Sequence, residues 1–203
     1  MAKNDSLRWG PPRKNAVHIC VDMQRMFAED TEWKTPWFAR VLPNVVAVTA
    51  AHPERTVFTR FLPAQSPGRG AGAWRRYYER WSTMTVDRLG PEMVDLVPDL
   101  ARFVPPARIC DKHVYSPWTG SDLHLRLLER SVDTVVLTGG ETEVCVLATT
   151  LGAIDWGFRV ILVTDALCSS SDETHDAMMQ VYLNRFIEQV ECVTTETLLA
   201  AWR

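Results

Sequence analysis

Three residue types that together perform acyl transfer stand where short apolar runs end. Asp22 follows His18-Ile19-Cys20-Val21, Lys112 follows Arg108-Ile109-Cys110-Asp111, and Cys145 lies just beyond Val135-Val136-Leu137-Thr138 and the pair Gly139-Gly140. A carboxylate can take a thiol proton and later hand it to a leaving amine, while an ammonium stabilises both anions. Gly139-Gly140-Glu141-Thr142-Glu143-Val144-Cys145 reads as a tight strand-to-helix turn with Cys145 in the first helical turn. A helix start favours negative charge, is expected to lower a thiol's pKa, and presents backbone N–H groups that can hold an oxyanion. Taken singly, Cys145 also suits a buried packing thiol, Asp22 an Asx-turn or cap, and Lys112 the partner of a surface acid. Their conjunction at three strand ends is what points to chemistry. Lys112 stands apart for a further reason: the chain has 22 Lys and Arg together, and its other lysines, Lys3, Lys14 and Lys34, all fall near the start. Arginine stays protonated, whereas a lysine ammonium is compact and its pKa can move.

The elements that must position these residues alternate in type. Short β-branched runs are expected as strands near Ala16–Val21, Thr56–Arg60, Arg108–Lys112, Thr134–Thr138, Arg159–Thr164 and Val190–Thr194. Helical patterns fall at Asn44–Ala51, Ser121–Arg130, Val144–Trp156, Glu173–Glu188 and Thr197–Trp202. Ser121 and Asp122 can open one helix, and Gly157 suits the end of another. Alternation of this kind builds βα units on a parallel sheet, and such sheets bind ligands at the carboxyl ends of their strands. From Pro63 to Trp81 the pattern breaks into a proline- and glycine-rich loop with a short helix, carrying the run Trp74-Arg75-Arg76-Tyr77-Tyr78-Glu79-Arg80-Trp81.

The 203 residues, 46% hydrophobic and 23% charged, suffice for one domain with a full core. Residues 1–15 read as an N-terminal extension and residues 16–203 as that domain. A net charge of −3 offers no positive surface for a polyanion, so no nucleic-acid partner is expected. Met1 to Asn15 is polar and interrupted by Gly10, Pro11 and Pro12, and no apolar run reaches the roughly 18 residues of a membrane span. The expected location is the cytoplasm, with no membrane partner. Five cysteines, with Cys20, Cys110 and Cys192 inside apolar runs, fit free thiols in a reducing compartment.

Val21-Asp22-Met23-Gln24 with Phe27, Lys112 with Tyr115-Ser116, and the segment from Gly140 through Cys145-Val146-Leu147-Ala148-Thr149 resemble, in order and spacing, the signature segments of isochorismatase-like cysteine hydrolases. Thr164-Asp165-Ala166 and His175 are similar to later landmarks of that family, so the resemblance extends from about residue 16 to 195. It implies a three-layer α/β/α fold around a six-stranded parallel sheet in the order 3-2-1-4-5-6, with Asp22 and Cys145 flanking the switch point. It also implies Asp22, Lys112 and Cys145 as a catalytic triad, a cis peptide between Gly140 and Glu141, an oxyanion hole from the N–H groups of Glu141 and Cys145, and a homodimer or homotetramer. The implied reaction is hydrolysis of a C–N bond in a small amide or ureide through a thioester. Vinyl-ether hydrolysis, which needs no thiol, and a non-catalytic binding protein on the same fold are the alternatives.

Phe27, Trp81, Tyr115 and Trp118 are candidates for the substrate pocket or for plain core. His175 reads as a helix-to-core hydrogen-bonding residue. Nicotinamidases of this family carry Asp-x-His at the end of the second strand as zinc ligands; Thr59-Arg60-Phe61 stands there instead, and the five histidines lack the spacing. No metal or other cofactor is therefore expected. Arg60 reads either as a bidentate holder of a substrate carboxylate or carbonyl, or as an ordinary salt-bridged arginine.

Overall fold

The computed structural model describes residues 6–203, so the first five residues of the extension, Lys3 among them, lie outside the described residues. Six parallel strands run β1 (Val17–Val21), β2 (Thr56–Phe61), β3 (Arg108–Lys112), β4 (Thr134–Gly140), β5 (Arg159–Cys168) and β6 (Val190–Val193). Their order across the sheet is β3-β2-β1-β4-β5-β6, as the family resemblance implies. The chain moves outward from β1 to β3, then returns to the other side of β1. The connections leaving β1 and β4 therefore diverge, opening a crevice at the carboxyl ends of these two central strands.

Every residue of β1 and β4 is buried, because helices cover both faces of the sheet. Alternation along the strands divides the interior into two cores. Val17, Ile19 and Val21 pack with Val135 and Leu137 beneath α3 (Leu123–Glu129), α4 (Cys145–Asp155) and α5 (Asp172–Asn184). Cys20, Phe58, Val136 and Ile161 pack against α1 (Phe38–Ala51) and α6 (Thr195–Ala201) on the other face. Complete burial of a side chain such as Ile19 contributes about 1.5–3 kcal/mol. A further helix, α2 (Ala73–Arg80), packs on neither face and joins Phe61, Met26 and Met84 in a third, smaller cluster.

Three elements differ from the sequence pattern by four residues or more, one of them α5, which ends at Asn184 rather than Glu188. Helix α1 starts at Phe38 and runs through Pro43, six residues before the expected start at Asn44. Pro43 lacks the N–H that would bond the Ala39 carbonyl, but it is exposed, so water can satisfy that group and the helix continues. Strand β5 continues to Cys168 rather than Thr164, past a register shift between Leu137 and Gly139 of β4. At the opposite end of the sheet, Arg159 ion-pairs with buried Glu191 at 2.6 Å and donates to the Gly10 carbonyl at 2.7 Å. The described part of the N-terminal extension is thus fastened to the rim away from Asp22.

Candidate active site

Asp22 leaves β1 with φ = +50°, a left-handed turn that an aspartate tolerates better than most residues. The turn brings its carboxylate across the end of the sheet. Thr59 of β2 donates its hydroxyl to Asp22 Oδ1 at 2.5 Å and accepts the Asp22 N–H at 3.1 Å. Lys112, the last residue of β3, donates from Nζ to Asp22 Oδ2 at 2.6 Å, to the Val114 carbonyl at 3.3 Å and to Cys145 Sγ at 3.4 Å. An ammonium has three protons, and each has an acceptor here. Asp22 and Lys112 are each 2% exposed and Cys145 7%, so the three groups meet in a nearly water-free space.

Cys145 is the first residue of α4, yet its thiol is pushed well up, against the expectation from its place at a helix start. Burial is the main cause; the negative charge of Asp22 adds to it, and the Lys112 ammonium only partly opposes both. Removing solvent from a thiolate outweighs the partial charge of one helix end. Burial alone would lower the Lys112 pKa, but Asp22 and Cys145 raise it above its ordinary value. The resting arrangement is a protonated thiol close to a carboxylate, with a lysine ammonium bonded to both.

The turn before Cys145 depends on its glycines. Gly139 has φ = +104°, and a Cβ there would lie 2.1 Å from the Val21 carbonyl oxygen, so only glycine lets β4 end this close to β1. The Gly140–Glu141 peptide is cis. The N–H groups of Val144 and Val146 both donate to the Glu141 carbonyl, at 3.1 and 3.0 Å. Helix α5 pins the turn from outside: Tyr182 donates to the Thr142 carbonyl at 3.0 Å, and His175 Nδ1 meets the Thr142 hydroxyl at 2.9 Å. His175 is buried, and its ring also packs on Trp37 at 5.0 Å, which makes it a hydrogen-bonding core residue.

Of the candidate pocket residues, Tyr115 lies beside the triad. Burial raises its phenol pKa, and it interacts with Cys145, Glu141 and Lys112. Phe61, which the sequence reading did not select, lies over Lys112 with its ring centre 5.1 Å from Nζ and stacks on Tyr115 at 6.5 Å. Trp74 meets Tyr115 at 5.0 Å, and the Tyr77 and Tyr115 phenols interact with each other. Phe27 and Trp81 stand one layer back, packed at 6.1 and 6.2 Å on Trp33, which in turn contacts Phe61 at 6.0 Å. A signal for this wall was present: Trp74, Tyr77, Tyr78 and Trp81 recur at i, i+3, i+4 and i+7, one stripe of a helix.

Trp118 and Arg60 are placed elsewhere. Trp118 stacks on Phe158 at 5.7 Å and donates its indole N–H to the Thr149 carbonyl at 2.8 Å. Its ring fills the space over Gly152, where a Cβ would come within 2.1 Å, so it anchors the loop after β3 onto α4. Arg60 alternates to the face of β2 opposite Thr59 and Phe61. Its guanidinium is held bidentately by Asp111 at 2.7 and 2.9 Å and contacts Asp95 at 3.0 Å, the ordinary salt-bridged reading. Thr59 and Phe61, at the strand positions where a zinc-binding relative would carry ligands, offer a hydroxyl already donated to Asp22 and a benzene ring. These residues do not fit a zinc ion.

The family model for the isochorismatase domain matches residues 16–196. An uncharacterized isochorismatase family protein from Bacillus subtilis, YwoC, is 34% identical over 108 residues, which cover 46% of this chain and 57% of that protein. This chain spans about half the length of the curated relatives it matches. Among solved structures, a cysteine hydrolase from Pseudomonas syringae pv. phaseolicola superposes with a TM-score of 0.79 at 23% identity, over 100% of both chains. A pyrazinamidase/nicotinamidase from Streptococcus mutans superposes with a TM-score of 0.69 at 26% identity, over 87% of this chain and 99% of that one.

Proposed function

This chain belongs to the isochorismatase family, and from the site built on that fold we infer that it is a cysteine hydrolase cleaving the C–N bond of a small amide or ureide. One observation carries the reading: a buried ammonium lies 2.6 Å from the Asp22 carboxylate and 3.4 Å from the Cys145 thiol. Because the thiol rests protonated, attack requires a base, and Asp22 is the acceptor in contact with it. As Cys145 Sγ bonds to the carbonyl carbon, its proton moves to Asp22. The carbonyl becomes an oxyanion held by the Glu141 and Cys145 N–H groups. Collapse breaks the C–N bond, Asp22 gives its proton to the departing nitrogen, and a thioester remains. Water then adds to the thioester with Asp22 as base, releasing the acid and restoring the thiol. Lys112 orients Asp22 and offsets its charge throughout, and no step uses a metal.

Ammonia release from a panel of amides and ureides, together with mass spectrometry of the quenched protein, tests the mechanism. The expected result is an acyl adduct on Cys145 and loss of at least 1000-fold in kcat for Cys145→Ala, in line with removal of a nucleophile. Activity retained in that variant would refute covalent catalysis and favour thiol-independent vinyl-ether hydrolysis.

A homodimer or homotetramer is also proposed. Leu125 and Leu128 of α3 are 53% and 49% exposed, and Trp156, 46% exposed beyond α4, stacks on His124 to join the two helices into one apolar face. Light scattering of wild type and Leu128→Glu tests this, a wild-type monomer being the refuting result. No helix among the described residues is long and apolar enough to cross a membrane. Five free cysteines support a reducing, cytoplasmic setting.

A further inference from the structure

The groups facing the triad define what acyl part can sit beside Cys145. Phe61, Trp74, Tyr77 and Tyr115 make a continuous aromatic wall, with Trp74 5.1 Å from Tyr77 and 6.3 Å from Phe61. Its polar atoms include the hydroxyls of Tyr77 and Tyr115, which interact with each other. The two cations that the strand ends carry here, Lys112 and Arg60, are committed. All three Lys112 protons have acceptors, and Arg60 is chelated by Asp111 on the far face of β2. Arg75 and Arg76 of α2 are exposed and lie on the side of the helix away from its aromatic stripe, and exposed Arg80 is engaged over the Trp81 ring at 4.7 Å, one layer back from the triad. The acidic groups near the wall, by contrast, are Asp22 and Glu141, which interact with each other and, in the case of Glu141, with Tyr115.

Resting on the amidase reading, we propose that the substrate's acyl group is flat and apolar and bears no carboxylate, seated on Phe61, Trp74 and Tyr115. A ring gains stacked and edge contacts there. A carboxylate in the same place would leave water with neither Lys112 nor Arg60 free to meet it and two acidic neighbours to repel it.

Binding can be measured apart from turnover. Isothermal titration of the Cys145→Ala protein should show benzamide binding at least tenfold more tightly than 4-carbamoylbenzoate, which differs by one carboxylate. Trp74→Ala in the same background should weaken benzamide at least fivefold while leaving 4-carbamoylbenzoate within twofold and the circular dichroism spectrum unchanged. For wild type, which carries no mutation that could disturb folding, the rate ratio of neutral iodoacetamide to anionic iodoacetate at Cys145 should exceed that for glutathione at least tenfold. Equal or tighter binding of the carboxylate, or an iodoacetamide preference no greater than that of glutathione, would overturn the proposal. Benzamide binding without ammonia release from any amide would instead count against the amidase chemistry and leave the acyl preference standing.

Discussion

Acidification should weaken this protein through one residue far from its surface. His18 is fully buried in the middle of β1, between Thr56 of β2 at 3.2 Å from Nδ1 and Thr138 of β4 at 2.8 Å from Nε2. The Thr56 hydroxyl spends its proton on the His52 carbonyl at 2.9 Å, so it can only accept from His18. Nδ1 therefore carries the proton, and Nε2 accepts from Thr138. A neutral imidazole satisfies both neighbours, whereas a second proton at Nε2 would oppose the Thr138 donor. Burial, with a smaller effect from His52, pushes the His18 pKa down from 6.5 to about 3. Because the folded pKa is depressed, the stabilisation is full above pH 6.5 and is lost as pH falls toward 3, while the unfolded chain takes up the proton. The slope is about 1.4 kcal/mol per pH unit, so roughly 3 kcal/mol is lost by pH 4.5, a large part of a typical 5–15 kcal/mol total. Urea unfolding of wild type and His18→Gln from pH 7.5 to 4.5 isolates this contribution from that of the carboxylates. The variant starts less stable by about 1–3 kcal/mol, since glutamine cannot bridge both hydroxyls, and its stability declines less steeply. Parallel pH slopes for the two proteins would refute the assignment.

Lys112→Arg should lose activity nearly as fully as Lys112→Met, because a planar guanidinium cannot reach Asp22, the Val114 carbonyl and Cys145 from this buried position; near-normal kcat in the arginine variant would show that any positive charge suffices. Lys112→Met should also cost about 3–5 kcal/mol in urea unfolding by stranding the buried Asp22 carboxylate, and a loss below 1 kcal/mol would contradict that. Gly139→Ala should lower the melting temperature and abolish turnover together, since the new Cβ meets the Val21 carbonyl that leads into Asp22; full activity in that variant would mean the β1–β4 junction tolerates separation. Treatment with a strong chelator should leave ammonia release unchanged, and activity lost to chelation and restored by zinc would overturn the metal-free reading of Thr59 and Phe61.

The ends of β1, β3 and β4 were legible because each strand is a short apolar run bounded by a polar residue or a glycine pair, and parallel topology sends those ends to one rim. Asp22, Lys112 and Cys145 could be picked out on that basis, and Asp22 and Cys145 both lie within hydrogen-bond distance of Lys112 Nζ. Thr59 was overlooked because its partnership with Asp22 arises from the pairing of β1 with β2, which no local pattern displays. The raised thiol was misjudged for a related reason: a helix start is visible in sequence, but the depth at which it is buried is not. The stripe on α2 was visible as a period, yet what it covers, Phe61 and Tyr115, stands more than ten residues away on either side. The start of α1 was lost to Pro43, whose exposure decides whether the helix survives it.

The third cluster, built around Phe61, Tyr78 and Met84, separates two duties that many enzymes mix. The groups proposed to react stand at the ends of strands, or in the turn just beyond one, locked into the two main cores, while the surface proposed to choose the substrate belongs largely to a satellite assembled from α2 and its flanking loops. Units of this kind open at lower free energy than the sheet they rest on. Amide hydrogens of α2 should therefore exchange well before those of β1 and β4. For an evolving lineage the consequence is freedom: residues of the satellite can be exchanged, and the menu of acceptable substrates rewritten, while Asp22, Lys112 and Cys145 keep their positions and the sheet keeps its stability.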